Sequence, residues 1–349
     1  MQAVSLGPLT TLGLGGPACA LEEARSEAEI ARLVSDADAR GEPVLVLGGG
    51  SNLVIADAGW GGLVVKIASR GIDVEERGDR AIVTVEAGEP WESVVARAVT
   101  GGLVGIECLA GIPGLAGSTP IQNVGAYGQE VGDTIARVRA WDRRARAFVE
   151  LAPAECAFAY RSSAFKADPA RFVVTRVSFE LARGARSAPV RYAELCKALG
   201  VAEGERAPLD VVRDTVVALR RGKGMVIDPA DPDTRSAGSF FTNPIVTLAE
   251  ADAVAARAKA RGIDAPVPRF GAGEGRVKLA AAWLIERAGF AKGHALGRAR
   301  VSTKHALALV NAGGTTEELL ALARAIRAGV SDAFGVTLEA EPVLVGCAL

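Results

Sequence analysis

Histidine is nearly absent: His294 and His305 are the only two in 349 residues. That excludes a histidine-rich metal centre, and nothing else in the chain suggests zinc. Cysteine is also sparse. Cys19, Cys108, Cys156, Cys196 and Cys347 are scattered, odd in number, and never spaced as CxxC. A chain of this length can fold without covalent staples, so a reduced, cytoplasmic protein is expected. An excess of charge of either sign is missing too. Lys plus Arg number 40 and Asp plus Glu 41, a net charge of -1. Such a chain exerts no general pull on nucleic acid or on a membrane surface, so a phosphorylated ligand must be met by local Lys and Arg. No run of about 20 apolar residues is present to span a bilayer. Met1 to Pro8 show no basic segment leading into an apolar core, so no secretory leader is expected.

What is present suits a globular protein. Hydrophobic residues make up 49% of the chain, enough for sizeable cores, and at about 100–200 residues per domain the length points to two or three domains. Ser26 with Glu29 opens a helix carrying Ile30, Leu33, Val34 and Ala37 on one face, ended by Gly41. The unbroken apolar run Val44 to Leu47 reads as a buried strand. Strands are also expected at Leu53–Ile55 and Leu63–Val65, and a hairpin over Ile72 to Val85 turning near Gly78–Asp79. Pro90 suits a helix start. Further strands are read at Arg137–Asp142, Phe148–Leu151 and Val173–Leu181. The polar stretch Gly184 to Ser187 marks a candidate boundary. Beyond it, Leu209, Val212, Val216 and Leu219 form a helical stripe. Thr247 with Glu250 and Thr315 with Glu318 form two more capping boxes.

Five segments carry chemistry. Gly48-Gly49-Gly50-Ser51-Asn52 follows a buried strand. Its glycines let main-chain N–H groups approach an anion, and Ser51 and Asn52 add side-chain donors; this suits a diphosphate, with a plain tight turn as the alternative. It is no GxGxxG opening a helix, since extended chain follows. The second is Ala110 to Gly128, long, glycine-rich and irregular. It offers backbone amides around Gly111, Pro113, Gly114, Gly125 and Ala126, with the side chains of Ser118, Gln122 and Asn123, and favours cofactor binding. The third, Tyr160 to Lys166, contains Arg161, able to clamp a carboxylate, or else an ordinary surface arginine. The fourth runs from Arg220-Arg221-Gly222-Lys223-Gly224 into Ser236 to Pro244. Ser239 there sits in a glycine turn before Phe240-Phe241, without the GxSxG of a hydrolase. The fifth, Leu338 to Val343, holds Glu339 and Glu341 among apolar residues, where a carboxyl group can stay protonated; an edge-strand charge is the alternative.

In this order the segments resemble the bacterial UDP-N-acetylenolpyruvoylglucosamine reductases. The matching pieces are Leu47 to Asn52, Gly111-Ile-Pro-Gly114 with Pro120 to Gly128, Tyr160-Arg161 with Phe165-Lys166, Gly238 to Pro244, and Val277-Lys-Leu-Ala280. The likeness covers the chain from about Thr11 to Gly346, and the second and fourth pieces are its most specific. It implies an α/β (α+β) fold: an FAD-binding domain of the vanillyl-alcohol-oxidase (PCMH) type in two lobes over 16–183, then an α+β substrate domain over 184–349 whose last strand returns to the first domain. Tyr192 looks like the tyrosine of a mobile substrate loop found in the first of two family types.

Residue roles follow by motif. The resemblance makes Ser239 the proton donor to substrate carbon, Glu341 the C-terminal catalytic glutamate (preferred to Glu339 by its spacing to Gly346) and Arg161 the active-site arginine. Gly48, Gly49, Gly50, Ser51, Asn52, Gly111, Pro113, Gly114, Ser118, Gln122, Asn123, Gly125 and Ala126 are the expected flavin contacts. Tyr192, Lys223, Asn243 and His305 match substrate positions, His305 standing where some members have glutamine. Two other departures are visible: Pro342-Val343 follows Glu341 where Val-Arg is common, and Thr10-Thr11-Leu12 replaces Asn-Thr-Phe.

The implied activity is an oxidoreductase step of peptidoglycan precursor synthesis. Non-covalent FAD, reduced by NADPH, reduces a UDP-sugar enolpyruvyl ether to UDP-N-acetylmuramate. The expected protein is a cytoplasmic monomer with no metal, nucleic-acid or membrane partner. Two other readings stand beside it: another FAD-linked oxidase or dehydrogenase of the same fold, and a flavin-binding module without catalysis. Many of the former attach flavin through histidine, and no histidine precedes His294.

Overall fold

The computed structural model describes residues 4–349. The leader reading rests partly on Met1–Ala3, which lie outside the described residues. No described helix is long and apolar enough to cross a membrane. The chain divides into two compact units, one formed by Met1–Val4, Ala18–Gly50 and Gly61–Gly222, the other by Ser5–Pro17, Ser51–Trp60 and Lys223–Leu349.

The first unit has two lobes, each with its own core. In the smaller, the Val44–Leu47 strand pairs in parallel with Leu63 to Lys66 of the Trp60–Ile67 strand, next to Pro17–Ala24. The Glu27–Ala39 helix, which joins Pro17–Ala24 to Val44–Leu47, covers this sheet, burying Ile30, Val34 and Ala37 against Leu63, Val65 and Ile67. Ser26 caps that helix by accepting from the Glu29 N–H at 3.2 Å. The reciprocal bond of the expected capping box falls one residue early, with the Glu29 carboxylate accepting from the Arg25 N–H at 2.6 Å.

The larger lobe is an antiparallel sheet in the order Ala147–Leu151, Ile135–Asp142, Phe172–Arg183, Arg80–Glu86, Ile72–Arg77. The expected hairpin is present. Gly78, with φ +66°, takes the first central position of its two-residue turn, where a side chain would be strained. The Trp91–Thr100 and Leu209–Gly222 helices lay Trp91, Val94, Val95, Val212 and Val216 into the same core as Val83, Val177 and Phe179.

That core also takes Val190, Leu195 and Cys196. The composition suggests a boundary near Gly184, but the contacts divide at Gly222/Lys223. The physical reason is burial: the apolar stripe of the Leu209–Gly222 helix is part of the first unit's core, and a polar linker sequence cannot reveal which core a downstream helix joins.

The second unit packs the Leu248–Ala260, Ala281–Arg287 and Thr316–Phe334 helices on two small antiparallel sheets. Its core includes Phe240, Phe241, Leu284, Ile326 and Phe334. Both expected capping boxes, Thr247–Glu250 and Thr315–Glu318, form reciprocally. The C-terminal strand, Val343–Val345, pairs in parallel with Leu53–Ile55, a segment of the second unit by its contacts.

Candidate active site

In the first unit the triple glycine leaves the Val44–Leu47 strand and runs alongside the long irregular loop. A Cβ on Gly48 would stand 2.8 Å from Ser118 Oγ, and one on Gly49 would stand 2.9 Å from Gly114 Cα. At Gly49 main chain meets main chain, which only glycine permits, while Gly48 faces the serine hydroxyl. The long loop is docked by its own backbone. The Trp91 N–H donates to Gly114 O at 3.0 Å, Ala116 to Glu89 O at 2.8 Å and Gly117 to Ala87 O at 2.9 Å. A Cβ on Gly117 would meet Ala87 Cβ at 2.5 Å. The Glu92 carboxylate accepts from the Gly111 N–H at 2.6 Å and pairs with Arg213, so one side chain fixes the start of the loop. Pro113, Ser118 and Gln122 are half-buried along it.

Asn123 holds the loop's middle. It is buried, with φ +46°. Its amide donates to Glu130 Oε2 at 2.7 Å and to Ala159 O at 3.2 Å, and its Oδ1 accepts from the Gly132 N–H at 2.9 Å. The side chain read from the sequence as a cofactor donor is thus committed within the protein. Gly125–Ala126 forms a short strand with Gln129–Glu130. The residues present fit a dinucleotide: two glycine-rich stretches lie side by side at the end of a strand, and main-chain amides so grouped suit a diphosphate.

Arg161 sits beside this loop. Ala159 and Ser162 exchange N–H···O bonds of 3.1 Å, so Tyr160 and Arg161 form a tight turn. Arg161 takes φ +51°, rare for a bulky residue. Its guanidinium donates to Gly125 O at 2.8 Å, and Lys166 Nζ donates to Arg161 O at 3.1 Å. Non-glycine residues with positive φ are Asn123, Tyr127, Arg146, Ala157 and Arg161. Asn123, Tyr127 and Arg161 all belong to this one constellation, and such strain concentrates at functional sites.

Two further side chains join it. Arg220, 9% exposed, lies on the buried face of the Leu209–Gly222 helix. Burial lowers its pKa to about 10, with the neighbouring Tyr127 and Glu92 opposing and Arg161 adding to the fall. It therefore remains a cation at neutral pH. Burial pushes the Tyr127 phenol up to about 12, against the pull of Arg220. Tyr192, exposed at the start of the Ala193–Leu199 helix, sets its ring edge-on to Tyr127 with centroids 5.3 Å apart. The motif reading missed Arg220 as a site residue, yet a signal existed. Positions 209, 212, 216 and 220 continue one apolar stripe, and a charge on a buried stripe is out of place without a task.

In the second unit, Ser239 ends the Ser236–Ser239 strand and pairs with Ala308. Gly238 before it has φ +73°, and the buried Phe240 and Phe241 after it pack edge to face. The Glu341 N–H donates to Phe240 O at 2.9 Å, and Phe241 bridges Ala340. The segment that continues from Ser239 and the segment carrying Glu341 are thereby neighbours through Phe240 and Phe241. Glu339 is exposed where Glu341 is half-buried. The Asn52 amide donates to Glu341 O at 3.4 Å, and Asn52 O accepts from the Val343 N–H at 2.9 Å. Asn52, with Ser51, belongs to this unit rather than to that of Gly48–Gly50.

The Thr11 hydroxyl donates to Ser236 O at 2.8 Å, and Leu12 is fully buried. These two residues therefore brace the serine strand. Asn243 Oδ1 accepts from the Ala281 N–H at 2.9 Å, satisfying an orphan donor of the Ala281–Arg287 helix. Lys223 and His305 are half-buried, His305 on the turn between the Ala299–Val301 and Ala308–Asn311 strands.

The chain is similar to known proteins over nearly its whole length. Residues 19–148 match the model of an FAD binding domain, and residues 229–345 match that of the UDP-N-acetylenolpyruvoylglucosamine reductase C-terminal domain. UDP-N-acetylenolpyruvoylglucosamine reductase of Streptomyces avermitilis is 58% identical over 347 residues, covering 99% of this chain and 94% of that one. The Thermobifida fusca enzyme of the same name is 54% identical over 349 residues, covering 99% and 98%. The crystal structure of the Thermus caldophilus reductase superposes with a TM-score of 0.67 at 26% identity, covering 99% of this chain and 98% of that one.

Proposed function

The chain belongs to the UDP-N-acetylenolpyruvoylglucosamine reductase family, and we propose that it uses NADPH to reduce UDP-N-acetylglucosamine enolpyruvate to UDP-N-acetylmuramate for peptidoglycan synthesis. The observation that carries this reading is the 2.9 Å bond from the Glu341 N–H to Phe240 O, which sets the segment carrying Glu341 beside the segment that continues from Ser239.

Gly48–Gly50 and the Gly111–Ala126 loop would hold the FAD that the matched binding domain takes. When bound, FAD supplies the hydride that reduces the alkene. The protein's own groups do the rest. As negative charge develops next to the substrate carboxylate, Arg161 holds that carboxylate, with the buried Arg220 cation adding to the field. Glu341, protonated, donates a hydrogen bond to the same developing charge. Ser239 delivers a proton to the adjacent carbon. Lys223 and Asn243 bind the UDP portion, Lys223 as a point charge on phosphate. Tyr192 and His305 close on the sugar nucleotide. The domain roles follow: the first unit is the flavin domain and the second carries the proton donor. Cytoplasmic location and a monomeric state complete the reading.

The test is direct. The purified protein should show a flavin visible spectrum, and NADPH oxidation should rise when UDP-N-acetylglucosamine enolpyruvate is added. A colourless protein, or one whose NADPH oxidation ignores that substrate, overturns the proposal.

A further inference from the structure

The second unit contains a buried carboxylate that the mechanism does not use. Asp233 is 2% exposed and accepts four hydrogen bonds. Its Oδ1 takes Arg300 Nη2 at 2.6 Å. Its Oδ2 takes the Ser302 hydroxyl at 2.9 Å, the Thr303 N–H at 2.9 Å and the Thr303 hydroxyl at 2.6 Å. Every partner is a donor, so the site is built for an ionised group. Burial alone would raise its pKa, but the bonds from Thr303, Arg300 and Ser302 outweigh burial and hold it below the usual range.

The partners explain what the carboxylate is for. With its proton given to Asp233, Ser302 Oγ accepts from the Lys304 N–H at 3.0 Å and the His305 N–H at 3.1 Å, which shapes the turn presenting His305. On its other side Asp233 packs on Gly224, the residue after Lys223. A Cβ on Gly224, whose φ is +67°, would stand 3.2 Å from Asp233 Cβ. Three residues beyond Asp233 begins the strand that ends in Ser239. Lys304 Nζ to Asp231 Oδ2, at 2.6 Å, ties the His305 turn to the Asp231–Asp233 segment a second time at the surface.

We infer that Asp233 is a positioning residue for the UDP-sugar site: its ionised carboxylate locks the His305 turn to the Lys223–Gly224 turn, and so sets substrate affinity. The inference rests on the proposed reductase activity. An asparagine cannot replace it, because one amide face would set N–H donors against the donors of Arg300 or of Ser302 and Thr303.

The experiment compares wild type with Asp233→Asn and the milder Thr303→Val, using the purified flavoprotein. Calorimetry without NADPH measures Kd for UDP-N-acetylglucosamine enolpyruvate, and steady-state kinetics measure KM and kcat. Losing charge-assisted bonds should raise Kd and KM about ten-fold or more in Asp233→Asn and about three-fold in Thr303→Val, with kcat changed less than KM. A merely structural role would lower thermal stability and leave Kd and KM of the folded fraction unchanged. That result in a folded Asp233→Asn overturns the inference. If Asp233→Asn does not fold, Thr303→Val decides: raised Kd supports it, and wild-type Kd overturns it. If wild type itself neither binds nor turns over the substrate, the functional reading has failed, an outcome distinct from these.

Discussion

The two units build their candidate binding surfaces by opposite means. In the first, the working surface is backbone: Gly48–Gly49 lie against Gly114 and Ser118, and Gly117 against Ala87, at separations no Cβ would tolerate. Side chains such as Asn123 and Glu92 are spent holding that backbone in place. In the second, the working groups are side chains. Ser239 and Glu341 stand on extended segments anchored by the buried Phe240 and Phe241, and Asp233 organises the turns around Lys223 and His305. The contrast matches the ligands. A dinucleotide is recognised along its length by amides, which need close approach. A proton transfer needs one atom at one place, which a packed side chain supplies.

The sharpest way to test the contrast is to remove the atom on which the second unit depends. Ser239→Ala should slow substrate-driven flavin reoxidation about 100-fold while leaving reduction by NADPH near wild type. Stopped-flow absorbance at the flavin band separates the two half-reactions, and equal losses in both would remove Ser239 from the proton-donor role.

Arg220→Met tests whether a buried charge is kept for function. Losing the field of this cation should cost about 30-fold in kcat/KM, a larger effect than any change in thermal stability. A fall in Tm with unchanged kcat/KM would make Arg220 a structural residue instead.

Gly117→Ala probes the backbone side of the comparison. Forcing a Cβ to within 2.5 Å of Ala87 Cβ should destabilise by about 1–3 kcal/mol and lower flavin content per protein, with little effect on turnover of the molecules that retain flavin. Urea unfolding and the ratio of flavin to protein absorbance measure this. Normal stability and flavin content would show that the loop yields easily.

The smallest expected effect is at Lys223. Its alanine variant should raise KM about ten-fold with kcat falling less, as for a group that binds substrate and transition state alike. A kcat loss exceeding the KM change would move Lys223 among the catalytic groups.

Much of this was legible before any coordinates. The capping boxes at Thr247 and Thr315 form as read, since each depends on residues three apart. So does the hairpin at Gly78, a matter of one turn. The motif around Ser239 marked a glycine turn before a buried Phe-Phe pair, and the structure has both. The partners of Asn123 are not legible in the sequence, because an amide in a loop advertises donors without saying whether they face a ligand or the protein. The burial of Asp233 is not legible in the sequence, because the acidic, proline-containing stretch from Asp228 to Asp233 has the composition of a solvated loop. Its donors arrive from Arg300, Ser302 and Thr303, about 70 positions away.

By itself, then, the order of residues determined the local devices: caps, turns, apolar stripes, and the glycines without which two stretches of main chain could not touch. These are short-range matters of sterics and hydrogen bonding, written within a few positions. Tertiary structure alone decided that the Leu209–Gly222 helix belongs to the first unit's core, that Arg220 on it is buried near Tyr127, and that Glu341 meets the Ser239 strand from a hundred residues away. Those outcomes depend on which apolar surfaces bury one another, and burial is a property of the whole packed chain.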